Sequence, residues 1–288
     1  MLTSEQLEMR KTGFGSSEVA AAIGISPHRS PFSVYADKIG AGVPFVETEP
    51  VVWGNLLEPV IAQYYAERHP ASTLTEPGTI AHPDEPWMLA TPDRHVHGGR
   101  ASYGLEIKTA GFRQYNRWGE TAEKLPPEYM VQCDWCMAVT GYDRWDMAVL
   151  IAGQEYREYT IEREETRERL IVDAARRFWF DHVVPRNPPK TDAMASTKLA
   201  LQYAYTEPTG EWVSSDADMN ALAEECEAAR AEAAEANARK LELEARVKAT
   251  IADNEGVIGD WGKASWKHGK DGKRRFTWKS NAKGGHGG

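Results

Sequence analysis

The sequence predicts a three-layer α/β domain followed by a helical and β-hairpin appendage, and three observations carry that reading. Segments with the 3.6-residue period of an amphipathic helix alternate with short runs of period two, in the order helix, strands, helix, strands, helix, as far as His182. Pro185 to Pro189 then break the pattern. Beyond them lie an Ala/Glu/Arg-rich helical stretch and two Trp- and Lys-rich strand-like runs joined at Asp271-Gly272, the residue pair of a tight hairpin turn. The expected divisions are a domain over 1–185, a linker or irregular connection over 186–215 and a long helix or helical hairpin over 216–253. A basic hairpin over 254–280 and a disordered tail over 281–288 complete the chain.

Residues 4–24 read as a short helix, a glycine turn at Gly13–Gly15 and a second helix that Ser16, Ser17 and Glu18 can open. The start of such a helix points free N–H groups at whatever lies in front, which suits a phosphate beside Arg10; a capped helix with nothing bound is the simpler alternative on that stretch alone. Phe32–Ile39 is a short helix. Trp53–Arg68 is a longer one with Leu57, Ile61, Tyr64 and Tyr65 as its apolar stripe. Glu58 stands at the stripe's edge between apolar neighbours, where burial would call for a metal or a base as partner. Two strands are expected within 78–91, one over Tyr103–Thr109, a core helix over Glu128–Thr140, a hairpin over 145–161 and an amphipathic helix over Glu165–His182. The stripe of the 216–253 segment, from Met219 and Leu222 through Ala229 and Ala233 to Leu243, is rich in small residues and predicts close packing on another helix.

Bulk properties narrow the class. The chain has 288 residues, 41% hydrophobic and 27% charged, ordinary for a globular protein. It has no apolar run of membrane-spanning length and no signal pattern at its start, which predicts a cytoplasmic protein with no membrane partner. Three cysteines argue against a disulfide framework, and Cys133 and Cys136 fall on the core side of a helix with no second pair to complete a zinc or iron–sulfur site. His95 and His97 likewise lack company and read as solvated positions. A net charge of −9 argues against a simple nucleic-acid-coating protein, which is usually basic. It leaves a nuclease open, because eight Lys/Arg against two Asp from Asp260 onward make the tail +6, so charge is segregated rather than absent.

The chemistry-bearing stretch is Thr91-Pro92-Asp93, a glycine-rich turn, then Glu106-Ile107-Lys108. In an extended strand Glu106 and Lys108 leave on one face and Ile107 on the other. Two carboxylates at adjacent strand ends can hold a hard divalent cation through oxygen, with an ammonium beside them. Gln132, a polar residue in an otherwise core-facing helix, follows directly.

With Glu58, Gly15-Ser16-Ser17-Glu18 and Gln132 around that motif, the sequence from about Arg10 to Leu150 resembles the YqaJ-like viral recombinase family, phage alkaline exonucleases of the lambda type within the PD-(D/E)XK nuclease superfamily. The resemblance implies a central mixed sheet flanked by helices, and residue roles. Asp93, Glu106, the Ile107 carbonyl and Glu58 would be metal ligands; Lys108 would orient or deprotonate water or stabilise developing charge; Gln132 would position water or phosphate. Arg10, Ser17 and Thr91 match the 5′-phosphate and DNA contacts, Thr91 standing where a serine is typical. It further implies Mg²⁺, with Mn²⁺ as substitute, and a 5′-to-3′ exonuclease acting on double-stranded DNA in the bacterial host cytoplasm to leave a 3′ overhang. A trimeric homo-oligomer and a phage single-strand annealing partner are implied as well. An endonuclease of the same fold and a non-catalytic DNA-binding scaffold are the alternatives. The basic hairpin is open to two readings, a DNA contact through phosphate pairing and aromatic stacking, or a small packed hairpin with a solvated lysine face.

Overall fold

A seven-residue helix, α1 (Ser16–Ala22), buries five of its side chains besides Glu18 and begins the first layer. The computed structural model describes residues 9, 12–99 and 101–281; the expected first helix, Arg10 and the expected disordered tail beyond Asn281 lie outside the described residues. α2 (Pro31–Lys38) starts where Ser30 accepts from the Ser33 N–H and proline stands in the first turn, both signals readable in Ser30-Pro31. α3 (Glu49–Arg68) runs through Pro59, whose missing N–H removes one helical bond immediately after Glu58. Its buried residues are Ile61, Ala62 and Tyr65, while Tyr64 of the expected stripe is 45% exposed.

The central sheet contains β1 (Ser72–Thr75), β4 (Arg94–Gly98), β5 (Ala101–Ala110), β6 (Arg144–Ile151) and β7 (Glu155–Glu162), in the spatial order β1-β4-β5-β6-β7. A two-stranded ribbon of β2 (Ile80–Ala81) and β3 (Leu89–Ala90) lies outside it. β5 and β6 are parallel and every other pair in the sheet is antiparallel, so the sheet is mixed. The parallel pair needs a crossover, and α4 (Pro127–Thr140) lies within it, closed by Gly141 at φ 72°. In the register Gly104 faces Trp145, and a Cβ on Gly104 would lie 2.2 Å from that ring, so only glycine lets β5 and β6 pair there.

The period-two alternation of β5 divides the core. Leu105 and Ile107 join Val96, Ala148, Ile61 and Tyr65 in a cluster under α3. The opposite face packs Met147, Val149 and Trp145 against α1, α2, α4 and α5 (Glu165–Phe178), with Trp135 fully buried and its indole N–H donating to the Leu89 carbonyl at 2.9 Å. α5 continues into a π-turn over Trp179–Val183. On the α3 side of the sheet Asp146, 3% exposed, is tolerated because the Tyr65 hydroxyl donates to it at 2.6 Å and Arg144 at 2.7 and 2.8 Å.

The chain divides into two compact units, Met1–Pro208 and Thr209–Gly288. Residues 186–215, expected as an irregular connection, contain α6 (Ala195–Ala204), with Thr197 and Ala200 buried. The helix is short and the prolines before it mask its period; Asp192 accepts from the Met194 N–H at 3.0 Å and from Thr197 and so opens it. In the second unit α7 (Ala217–Ile251) is one continuous helix rather than a helical hairpin. Its expected seam is open: Met219, Leu222 and Leu243 are 51%, 53% and 47% exposed, and Ile251 is its one buried residue. The hairpin is a three-stranded sheet, β10-β9-β8, because β8 (Gly256–Gly259) joins β9 (Gly262–His268) and β10 (Arg274–Ser280); the four-residue β8 is too short and glycine-rich to show strand alternation. Among the described residues no helix is long and apolar enough to cross a membrane.

Candidate active site

Asp93 precedes β4 and Glu106 lies in β5, and the antiparallel register that pairs Arg94 with Leu105 sets the two carboxylates side by side. Asp93 Oδ2 accepts the Ile107 N–H at 2.7 Å, a bond that fixes its side chain across the strand pair. Glu106 is 2% exposed on the face toward α4. Its Oε1 accepts from Lys108 and from Gln132 Nε2, the latter at 2.6 Å; its Oε2 is buried without a partner. An unsatisfied carboxylate oxygen at such depth is costly in a dry core and marks a position for a cation or a donor. Lys108 also stands over the Tyr129 ring, 5.4 Å from its centroid.

Asp93, Glu106, Lys108 and Gln132 line a cleft of about 310 Å³ together with Ser16, Ser17, Asn55, Glu58, Glu76 and Thr91. The spacing of Asp93, Glu106, Lys108, Gln132, Glu58, Ser17 and Thr91 in sequence, across 116 positions, thus collapses into one recess. Thr91 and Glu58 are engaged by partners outside the expected set. The Thr91 hydroxyl is hydrogen bonded to Thr79 at 2.9 Å. Glu58, reaching in from α3 on the other side of the sheet, has its Oε1 held by Arg94 at 2.7 Å. Arg94, 8% exposed, also lies 3.3 Å from Glu76 and donates to the Asp93 carbonyl. Sequence reading passed over Arg94 and Glu76; Arg94 shares the inward parity of Val96 in β4, the one signal that could have placed it.

The opening of α1 contributes Ser16 and Ser17 to the cleft, but its first N–H groups are not simply free: Glu18 accepts the Gly15 N–H at 3.0 Å and is itself paired with Lys38 at 2.7 Å. Sequence reading placed Glu18 in the opening turn of a helix; Lys38, 20 residues away, gave no sign of meeting it.

Burial, and secondarily the charge of Glu106, push the Asp93 carboxyl well above the usual carboxylate range. Burial alone would lower the Lys108 ammonium, but Glu106 and Asp93 outweigh it and raise the pKa, so Lys108 is a cation at neutral pH. Cys133 and Cys136, both buried, are driven up by desolvation and then by Glu106, which makes them inert core thiols.

Among the described residues no three His, Cys, Asp or Glu side chains already converge as a closed metal cage. The donors at hand are oxygen only: Asp93, Glu106 with its orphan Oε2, the Ile107 carbonyl as a backbone candidate, and Glu58 if released from Arg94. That set fits a small hard cation, which is commonly held by one or two carboxylates with water and substrate phosphate completing its shell.

The family described as the YqaJ-like viral recombinase domain matches residues 5–143. The chain is 29% identical over 274 residues to the uncharacterized protein YqaJ of Bacillus subtilis (strain 168), spanning 93% of this chain and 84% of that one. It is 25% identical over 167 residues to the uncharacterized protein R354 of Acanthamoeba polyphaga mimivirus, spanning 50% of this chain and 30% of that one. Among solved structures, an alkaline exonuclease (LHK-Exo) from Laribacter hongkongensis superposes with a TM-score of 0.52 at 21% identity, covering 64% of this chain and 94% of that chain. At that identity the likeness establishes the fold: a mixed sheet flanked by helices, as the sequence led us to expect.

Proposed function

We propose, for a chain whose residues 5–143 match the family described as the YqaJ-like viral recombinase domain, that it is a Mg²⁺-dependent exonuclease that degrades double-stranded DNA from the 5′ end and leaves a 3′ single-stranded overhang. The observation that carries the reading is the buried Glu106, with Oε2 unpartnered and Oε1 shared by Lys108 and Gln132, next to Asp93 in a cleft rimmed by hydroxyls. The name of the structural neighbour, an alkaline exonuclease also solved with dAMP, supports the same class.

Asp93, Glu106 and the Ile107 carbonyl would hold the ion, and Glu58 could join them by leaving Arg94. When bound, Mg²⁺ or Mn²⁺ supplies neutralisation of the phosphodiester charge and acidification of water. The protein's own groups do the rest. Lys108, protonated beside Glu106, places a positive charge where the pentavalent transition state gains negative charge. Gln132 fixes the Glu106 carboxylate through its amide N–H. Ser17, Thr91 and Arg10 would hold the terminal phosphate and so set the distance from the 5′ end to the bond that breaks. We further propose a homo-oligomer, trimeric by resemblance, and an annealing protein that receives the exposed strand.

Linear duplex and covalently closed circles tested side by side with Mg²⁺ separate this reading from an endonuclease. Degradation of the linear form alone is expected; rapid cutting of closed circles would favour the endonuclease, and no nucleotide release from either would leave only a DNA-binding scaffold.

A further inference from the structure

The strongest positive charge in this acidic chain lies from Asp260 onward, where eight Lys/Arg stand against two Asp, and strand register places four of those cations on one surface. In the β9–β10 pairing Lys263 faces Lys279, Ser265 faces Thr277 and Lys267 faces Arg275. Alternation sends these six side chains to one face of the sheet and Ala264, Trp266, Phe276 and Trp278 to the other. The second face lies toward α7: Ala264 is 1% exposed and Lys248 of α7 lies 4.8 Å from the Phe276 ring centroid, while Trp278 is 52% exposed. The first face is open, with Lys263, Lys267, Arg275, Thr277 and Lys279 all exposed.

Like charges directly opposite one another on a sheet are destabilising, and this face has two such pairs. Lys267 and Arg275 have exposed acidic neighbours, Glu255 at 2.5 Å and Asp271 at 3.2 Å; among the described residues Lys263 and Lys279 have none. A surface that repels itself is complementary to a polyanion.

We propose that this outer face of the β8–β9–β10 sheet is a second DNA surface that grips the sugar-phosphate backbone of duplex DNA. The proposal rests on the nuclease reading for the identity of its partner. Duplex is favoured over single-stranded DNA because the exposed face carries no aromatic ring on which a base could stack. The rings that sequence reading offered for stacking lie on the opposite face, where Trp261 stacks on Trp278 at 4.3 Å and Arg274 covers Trp266 at 3.9 Å. What the face offers is mainly cations and hydroxyls, the groups that contact phosphate, with Ile258 of β8, 83% exposed, beside Lys263. Its two cation pairs are four residues apart along the strand, about 13 Å at roughly 3.3 Å per residue. That matches the width of the major groove, about 12 Å, so the pairs can meet phosphates on its two sides.

The test uses the full-length protein, a chelator, and a blunt duplex with 5′-hydroxyl ends, read by fluorescence anisotropy over a salt series. Lys263→Gln/Lys279→Gln is expected to make the slope of log K against log salt shallower by about 1.8, at about 0.9 per phosphate contact. The same variant is expected to keep or raise Tm, because it removes a like-charged pair. Lys267→Gln/Arg275→Gln repeats the test should the first variant fold poorly. An unchanged slope in a folded variant overturns the proposal, as does an equal loss of binding to poly-L-glutamate or a larger loss for single-stranded than for duplex DNA. Because turnover is not read, wild-type protein that binds in this way but releases no nucleotides sinks the nuclease reading and leaves this surface standing.

Discussion

Asp93→Asn should stabilise the ion-free protein while destroying its response to a divalent cation. Asp93 and Glu106 share a buried cleft, where the ionised form of Asp93 is disfavoured by burial and by its neighbour's charge. Asparagine retains an oxygen to accept the Ile107 N–H, now at 2.7 Å, and removes the repulsion. Relief of functional-site strain of this kind contributes about 0.5–2 kcal/mol. For a unit of the size of Met1–Pro208 each kcal/mol moves Tm by roughly 2–4 °C, so a rise of that order is expected in chelator. Wild-type protein at an ion concentration about 100 times Kd should gain about 2.7 kcal/mol, or roughly 5–10 °C. Differential scanning fluorimetry with chelator and then with Mn²⁺ reads both effects. A variant that melts lower than wild type without ion, or that responds to Mn²⁺ as wild type does, would refute the assignment of Asp93 to a metal site.

Three further outcomes follow from named contacts. Lys108→Ala should cut cleavage by about 10²–10³ or more through loss of a preorganised charge while duplex affinity in chelator changes little; an active variant would remove Lys108 from the chemistry. Native protein treated with a thiol reagent at pH 8 should take one label per chain, on exposed Cys226, because burial raises Cys133 and Cys136; three labels without denaturant would contradict the packing. Tyr65→Phe leaves buried Asp146 short of a donor and should cost about 1–3 kcal/mol in denaturant unfolding, whereas an unchanged midpoint would mean Arg144 and Thr160 satisfy it alone.

The motif in β4 and β5 was legible because strand alternation is a strict rule: Glu106 and Lys108 share a face, and Ile107 lies in the cluster under α3. The core helix around Cys133 and Gln132 was legible as a helix, but its burial of every residue from Val131 to Val139, Asp134 included, was not. What escaped depends on contacts across the chain. Arg94 meets Glu58 from 36 residues away and Lys38 meets Glu18 from 20, and neither distance leaves a local trace. β1 and β8 are each four residues long, below the length at which alternation is distinguishable from chance. In the hairpin, composition left a DNA contact and a small packed hairpin both open, while register puts Trp266, Phe276 and Trp278 on one face and Lys263, Lys267, Arg275 and Lys279 on the other. Arg10 lies outside the described residues, so its place by the cleft rests on resemblance.

The central claim is attack from a 5′ end, and the most direct test is product analysis on one duplex labelled separately at its 5′ and 3′ termini, with Mg²⁺. Early release of the 5′ label as mononucleotide, with the 3′ label persisting on shortening strands, is the predicted result. Early release of the 3′ label, or internal fragments bearing either label, would contradict it.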